Sequence, residues 1–498
     1  MPEGQNTPAT PAVSLSRRHP RGLYTLFITE MWERFSYYGM RALLVLFMVD
    51  AVRGGMGMTD KMATAIYGLY TAAVYLAALP GGWIADRLLG AQRAVWYGGM
   101  IIAAGHFTLA VPRTETFYIG LLLVVLGTGL LKPNVSAMVG DLYPEGGARR
   151  DAGFSIFYMG INLGAFLGPL ICSTLGEKIN WHYGFGAAGV GMVLGLIQYR
   201  LTQKHLGTAG LNPGPATRLN STQCAALLGG AVAIVLIVTL ALVGIIKINP
   251  VVLASGTTTF IVAMAAVFFV AVLLFSGLDK IEKQRVAVII VLFISAALFW
   301  SGFEQAGSSF NLFAERYTVR YAALLHYEFP AGWFQSFPAI FIIMFAPVMA
   351  AVWVRLARRN LEPSLPVKSG LGLVLLGAGF LVMATASTLI AAGQKVWPTW
   401  LITTYLIHTF GELSLSPVGL SAVTKLAPRR LVGQMMGAWF LAASLGNLIA
   451  GLLAGQFNTD AVQQWPGLFS KIAIAPAAAG MLLILFRKPI KRMMHGVS

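Results

Sequence analysis

Charge is scarce in this chain. Of its 498 residues only 11% are Asp, Glu, Lys or Arg, while 57% are hydrophobic and the mean hydropathy is +0.71. That scarcity excludes a soluble domain, which needs a charged surface to stay in water. Cysteine is scarcer still. Cys172 and Cys224 both fall in apolar segments, so no disulfide framework is expected. Short stretches of alternating apolar and polar residues, the pattern of a membrane β-barrel, are missing. The first twenty residues lack the apolar core and cleavage site of a secretion signal. They are polar and Pro-rich, with Arg17, Arg18, His19 and Arg21 around their end, and read as a disordered cytoplasmic tail. Neither a glycine loop that cradles phosphate nor a His/Cys spacing for a metal occurs. No cofactor, metal or catalytic residue is expected, and an enzyme is not.

What the chain does hold is apolar length. Fourteen apolar spans can be marked between about residues 25 and 487, which makes this an all-α integral membrane protein. A net charge of +17 would point to nucleic acid in a soluble chain. Here Lys and Arg crowd the short loops: 24 fall on one side of the membrane and nine on the other, with Arg34, Arg41 and Lys132 inside it. That bias marks the cytoplasmic side, puts both termini there, and makes lipid rather than nucleic acid the partner of the excess charge. The chain divides into a tail (1–22), a six-helix bundle (23–201), a linker with an inserted hairpin (202–284), a second six-helix bundle (285–487) and a second tail (488–498). The linker carries Pro213 and Pro215. The hairpin holds no intramembrane charge and reads as lipid-facing.

Within the first span, FITEMWERFSYYGMR (27–41) holds Glu30, Glu33, Arg34, Tyr37, Tyr38 and Arg41 at helical spacing, so all six share one stripe while Met31, Trp32 and Phe35 face elsewhere. Ionisable groups at membrane depth are costly and normally face a bundle interior or a watery path. Lys132 sits in mid-span beside Pro133 and needs a carboxylate partner, with Glu30, Glu33 or an acid across the bundle the natural ones. Asn162 lies among Gly160, Gly164 and Gly168, where alone it reads as helix glue. Trp300, Glu304, Ser308 and Asn311 form a further stripe, and so do Tyr405, His408, Glu412 and Ser416; His408 reads as structural, and Trp439 alone as packing. Four buried acids (Glu30, Glu33, Glu304, Glu412) therefore stand against three bases. Such a cavity suits a zwitterion, and an acid held near a base can switch between paired and protonated forms.

The two-times-six plan resembles the major facilitator superfamily, whose site lies between its halves. The loop GGWIADRLLGAQR (81–93) resembles the superfamily's Asp-Arg motif, with Asp86 capping near a helix end and Arg87 and Arg93 on the cytoplasmic rim as a conformational latch. Five further stretches, EMWERFSYYG (30–39), KPN (132–134), FYMGINLG (157–164), FEQ (303–305) and GELSLSPVGL (411–420), resemble the proton-dependent oligopeptide transporter family, in its bacterial fourteen-helix form. The resemblance implies symport of di- and tripeptides with protons across the bacterial inner membrane by a monomer. It implies that Arg34, Tyr38 and Lys132 hold the peptide carboxylate, that Tyr37 and Tyr75 line the pocket, and that Asn162 and Glu412 receive the amine and backbone. Trp300 and Trp439 would wall the side-chain pockets. Glu30, Glu33 and Glu304 would be the proton-linked acids, with Arg41–Glu304 a gate between the halves that protonation releases.

Two positions depart from the family pattern. Phe337 stands where many relatives carry Asn before the proline, and Phe303 where some carry an acid; both make the pocket more apolar and shift the expected preference toward bulky hydrophobic peptides. Rival readings keep the fold and change the cargo to nitrate, another zwitterion or a drug, or make the chain a non-transporting sensor. Both first-motif acids are present, which favours peptides over nitrate.

Overall fold

The computed structural model describes residues 18–145, 147–211 and 221–497. The tail up to residue 17 and the linker stretch with Pro213 and Pro215 lie outside the described residues. The chain is a succession of helices: α1 (Arg21–Val49), α2 (Asp60–Ile84), α3 (Ala91–Leu109), α4 (Thr114–Asp141), α5 (Gly147–Lys178), α6 (Trp181–Thr202), α7 (Ser221–Leu242), α8 (Pro250–Phe275), α9 (Lys280–Phe303), α10 (Ser309–Tyr317), α11 (Phe337–Arg358), α12 (Leu365–Ala391), α13 (Thr399–Leu426), α14 (Val432–Ala454), α15 (Trp465–Leu485) and α16 (Arg487–Met493). Ten segments among them are long and apolar enough to cross a membrane. The other long helices, α1, α3, α6 and α13, coincide with expected spans. The termini are set by ordinary capping: Thr59 accepts from Met62 N–H, Asn180 from His182 N–H, Asn249 from Val251 N–H, and Asp279 with Glu282 forms a reciprocal box.

Helices α1 to α6 pack on one another, as do α9 and α11 to α15. Small residues let the backbones approach. A Cβ on Gly168 of α5 would strike the backbone of α1 at Phe35 and Gly39; one on Gly127 of α4 would lie 2.6 Å from the Gly98 carbonyl of α3; and one on Gly480 of α15 would lie 2.5 Å from the Gly370 carbonyl of α12. The two groups meet along α2 and α14, where Gly68 faces Gly451, and at α5 with α11.

The inserted pair behaves differently from the expected lipid-facing hairpin. The described residues of helix α7 are mostly exposed and none is buried, whereas α8 buries Ala254, Ile261, Ala265, Phe269 and Val272 and lies against both α2 and α14. Its sequence carries no polar clue to this, because in a bilayer an apolar face serves lipid and protein equally.

Between α10 and α11 a two-stranded hairpin, β1 (Tyr321–Ala322) with β2 (Tyr327–Glu328), marks one end of the molecule. Polar bridges between the two groups gather toward this end. Arg316 makes a bidentate pair with Asp60 at 2.6 and 2.8 Å, Arg53 reaches Glu315 at 3.5 Å, and Lys178 reaches Glu328 at 3.5 Å. Trp333 donates to the Leu170 carbonyl and Ser336 to that of Phe166. Beside them Asp50 accepts from Trp181 Nε1 and from the Val52 and Arg53 N–H groups; burial pushes its carboxyl up, but these bonds outweigh it and hold it below its ordinary range. These contacts tie the two helix groups together at the hairpin end.

Candidate functional site

The stripe on α1 faces the junction of the two helix groups, and its six polar residues engage one another. Arg34 Nε contacts the Glu33 carboxylate and lies 3.2 Å from Glu30 Oε1, and its guanidinium stands over the Tyr37 ring at 5.1 Å. Tyr37 stacks on Tyr70 and meets Tyr38 edge to face. One turn on, Arg41 Nη2 pairs with Glu304 Oε2 at 2.8 Å, and its Nε donates to Tyr67 Oη at 2.6 Å. Arg41 and Glu304 are both about 95% buried, so neither can lose the other cheaply.

Glu304 reaches Arg41 because the helix breaks there. The spacing of Trp300, Glu304, Ser308 and Asn311 predicts one continuous stripe, but residues Glu304–Gly307 form a 3-10 turn and Ser308 leaves helical geometry at φ −124° and ψ −95°. Below the turn, Asn311 Nδ2 donates to the Ala42 carbonyl at 2.8 Å. Gly307 is required at the corner: a Cβ there would fall on Tyr67 Oη and 2.9 Å from Arg41 Nε.

Several buried charged atoms in this region have no hydrogen-bond partner among the described residues: Glu30 Oε2, Glu33 Oε1, Arg34 Nη2 and, on α13, Glu412 Oε2. Lys132 differs from expectation. Among the described residues no carboxylate pairs with it within 4.0 Å; its Nζ stands 4.0 Å above the centre of the Tyr75 ring. Arg34, one turn from Glu30 and adjacent to Glu33, takes both acids first, leaving Lys132 a π-face. The site therefore offers free donors and acceptors of both signs, which is what a zwitterionic ligand consumes.

The chain is 44% identical to the peptide transporter YePEPT of Yersinia enterocolitica subsp. palearctica over 99% of each protein. It is 36% identical to a di-/tripeptide transporter of Lactococcus lactis subsp. cremoris, over 96% of this chain and 97% of that one. The crystal structure of a peptide transporter POT in complex with sulfate superposes with a TM-score of 0.89 at 42% identity, covering 96% of both chains. The model of the POT family matches residues 92–470.

The chain belongs to the POT family.

Its fold is thus that of the major facilitator superfamily, two six-helix bundles with an inserted pair. Other residues singled out in this POT-family sequence fall as follows. Asn162 donates from Nδ2 to the Tyr158 carbonyl of its own helix at 2.9 Å, and Trp300 lies on α14 at Gly446. Trp439 packs where a Cβ on Gly419 of α13 would sit. The stripe on α13 divides. His408 contacts the Leu376 carbonyl through Nε2 at 3.1 Å and, with Tyr405, packs on Phe310, whereas Glu412 Oε2 has no hydrogen-bond partner among the described residues. On the loop after α2, Asp86 and Arg87 lie in the π turn Ala85–Leu89. Asp86 caps no helix, and among the described residues neither it nor Arg87 or Arg93 makes an ion pair.

Tyr67, Tyr70 and Glu177 are not among the residues singled out in the sequence. The tyrosines were findable, since with Tyr75 they recur at helical spacing on α2. Glu177 stands beside Lys178 at a helix end and looks like a solvated pair.

Proposed function

We propose that this protein is a proton-coupled symporter that takes up di- and tripeptides by alternating access. The observation that carries the reading is the buried cluster with unpartnered charge of both signs, joined across the helix groups by Arg41 and Glu304. The carboxylate of the peptide binds Arg34 Nη2 and Lys132, with Tyr38 beside them and Tyr37 and Tyr75 lining the pocket. The amine goes to Glu412 and Asn162, with Trp300 and Trp439 as walls. Peptide transport by the two relatives aligned over nearly their whole length supports the substrate class.

Coupling follows from charge balance. Protonation of Glu304 removes the charge that holds Arg41 and frees α1 from the broken helix. Glu30 and Glu33 compete with a bound carboxylate for Arg34, so proton and peptide binding are linked through one guanidinium. Residues 23–201 and 285–487 act as the two rocking halves, and Asp86, Arg87 and Arg93 form a rim latch that engages in another state. The protein works as a monomer in the plasma membrane of a bacterium with both termini cytoplasmic, so the hairpin end is external and the present state is closed to the outside.

The apolar departure is supported by a ladder of rings. Phe334 in the turn before α11 and Phe337, Phe341 and Phe345 along its start follow one another with centroids 5.8 to 6.2 Å apart, and Phe345 meets Phe410 on α13 at 5.0 Å. We assign to it a preference for bulky side chains. The test of substrate class is competition in detergent: Ala-Ala-Ala and Phe-Ala displace labelled Ala-Ala, while free alanine and nitrate do not. Displacement by nitrate alone would move the protein to the rival reading.

A further inference from the structure

The closure at the hairpin end contains a buried carboxylate that the proposed binding and coupling cluster does not use. Glu177 is the penultimate residue of α5 and is only 7% exposed. One of its oxygens accepts from the Ala331 N–H at 2.6 Å and the other from the Gly332 N–H at 2.8 Å, at the start of the 3-10 turn Ala331–Ser336 that leads into α11. The bridge thus runs from the first helix group to the second, from a charged acceptor to two backbone donors.

The surroundings make this contact specific. The charged groups facing Glu177 are Glu315 and Arg320, and Arg53 donates to its main-chain carbonyl at 3.2 Å. Arg320 is committed elsewhere, to Glu315 at 2.7 Å, Glu328 at 3.3 Å and the Phe329 carbonyl at 2.6 Å. The two N–H groups are therefore what hold the carboxylate, and charge-assisted bonds of this kind are the strong ones. Gly332 is fitted to the approach: a Cβ there would fall on Ser173 Oγ and 3.1 Å from Glu177 Oε1. Ser173 Oγ is buried beside it with no hydrogen-bond partner among the described residues.

We propose that Glu177 is a positioning residue of the transport cycle, a second latch that ties the outer end of α5 to the turn before α11. This rests on the alternating-access reading above. Opening at the hairpin end requires its two bonds to break together with the Arg41–Glu304 pair. The latch sits near the tip of the bundles, where a rocking motion separates them most, and it holds the segment that positions Phe337. Glutamine at 177 presents one acceptor and turns an NH2 group against the second N–H, so it weakens the latch without emptying the site.

The test uses distances and needs no substrate. Spin labels are placed on Val52→Cys and Leu324→Cys, which are 90% and 93% exposed on loops of opposite halves, in a full-length chain with Cys172 and Cys224 replaced by serine. In liposomes without peptide or gradient, the parent chain gives one short distance. Glu177→Gln and, from the opposite side, Gly332→Ala raise the ratio of a longer population to the short one at least about tenfold; Glu177→Asp lies between. Gly332→Ala carries the test if a variant at 177 does not fold. Parent-like distances in folded variants overturn the proposal, and so does a lowered melting temperature with unchanged distances, which would mark a purely structural bond. Because no peptide is present, failure here and failure of the peptide reading are separate results.

Discussion

At the scale of single residues, the account turns on which partner each buried charge has. Glu304 has Arg41 and little else, so Glu304→Gln mimics protonation. Accumulation of peptide falls at least about tenfold, the scale of a coupling of about 1.4 kcal/mol, while counterflow between equal pools persists. Loss of both activities would make Glu304 structural. Lys132 lies over Tyr75 rather than on an acid, which leaves its charge free for a ligand. Lys132→Ala is expected to abolish concentrative uptake and to erase the wild-type preference for a free peptide carboxylate over its amide. If the variant still discriminates between the two, the carboxylate goes elsewhere. At Phe337, restoring a polar side chain with Phe337→Asn weakens binding of Phe-Ala relative to Ala-Ala by about tenfold. Equal ratios in the variant and the parent chain would remove the hydrophobic preference.

At the scale of elements, the broken helix between α9 and α10 aims Glu304. Gly307→Ala places a methyl group against Tyr67 and Arg41, and overpacking of this kind costs about 1–3 kcal/mol. Its thermal stability in detergent should drop accordingly; a variant as stable as the parent would show that the corner relaxes freely. The stripe on α1 was legible in the sequence, because polar residues at helical period in an apolar span have one face to share. The break was not: Gly307 gives a weak local signal, and the turn is imposed by Arg41 and Tyr67 arriving from other helices. Lys132 misled for a similar reason, since spacing along α4 says nothing of Arg34 standing nearer to both acids. Glu177 was hidden by Lys178, which does reach a surface partner while its neighbour turns inward. The lean of α8 on α2 and α14 was equally unreadable, because its buried and lipid-facing sides are made of the same residue types.

At the scale of the whole molecule, the proposed alternating access makes the cluster on α1, the broken helix and the bridges at the hairpin end one state of at least two. In the proposed cycle the bridges between the halves gather on the side assigned as external, so a proton arriving from outside acts by loosening them and the peptide leaves from the opposite side. Uptake of radiolabelled Ala-Ala into proteoliposomes tests this most directly, with the outside either acidic or matched to a neutral interior. The account predicts accumulation above equilibrium only with the inward proton gradient, suppressed by unlabelled Ala-Ala-Ala but not by free alanine. Equal uptake with and without the gradient, by a folded and fully inserted protein, would contradict it.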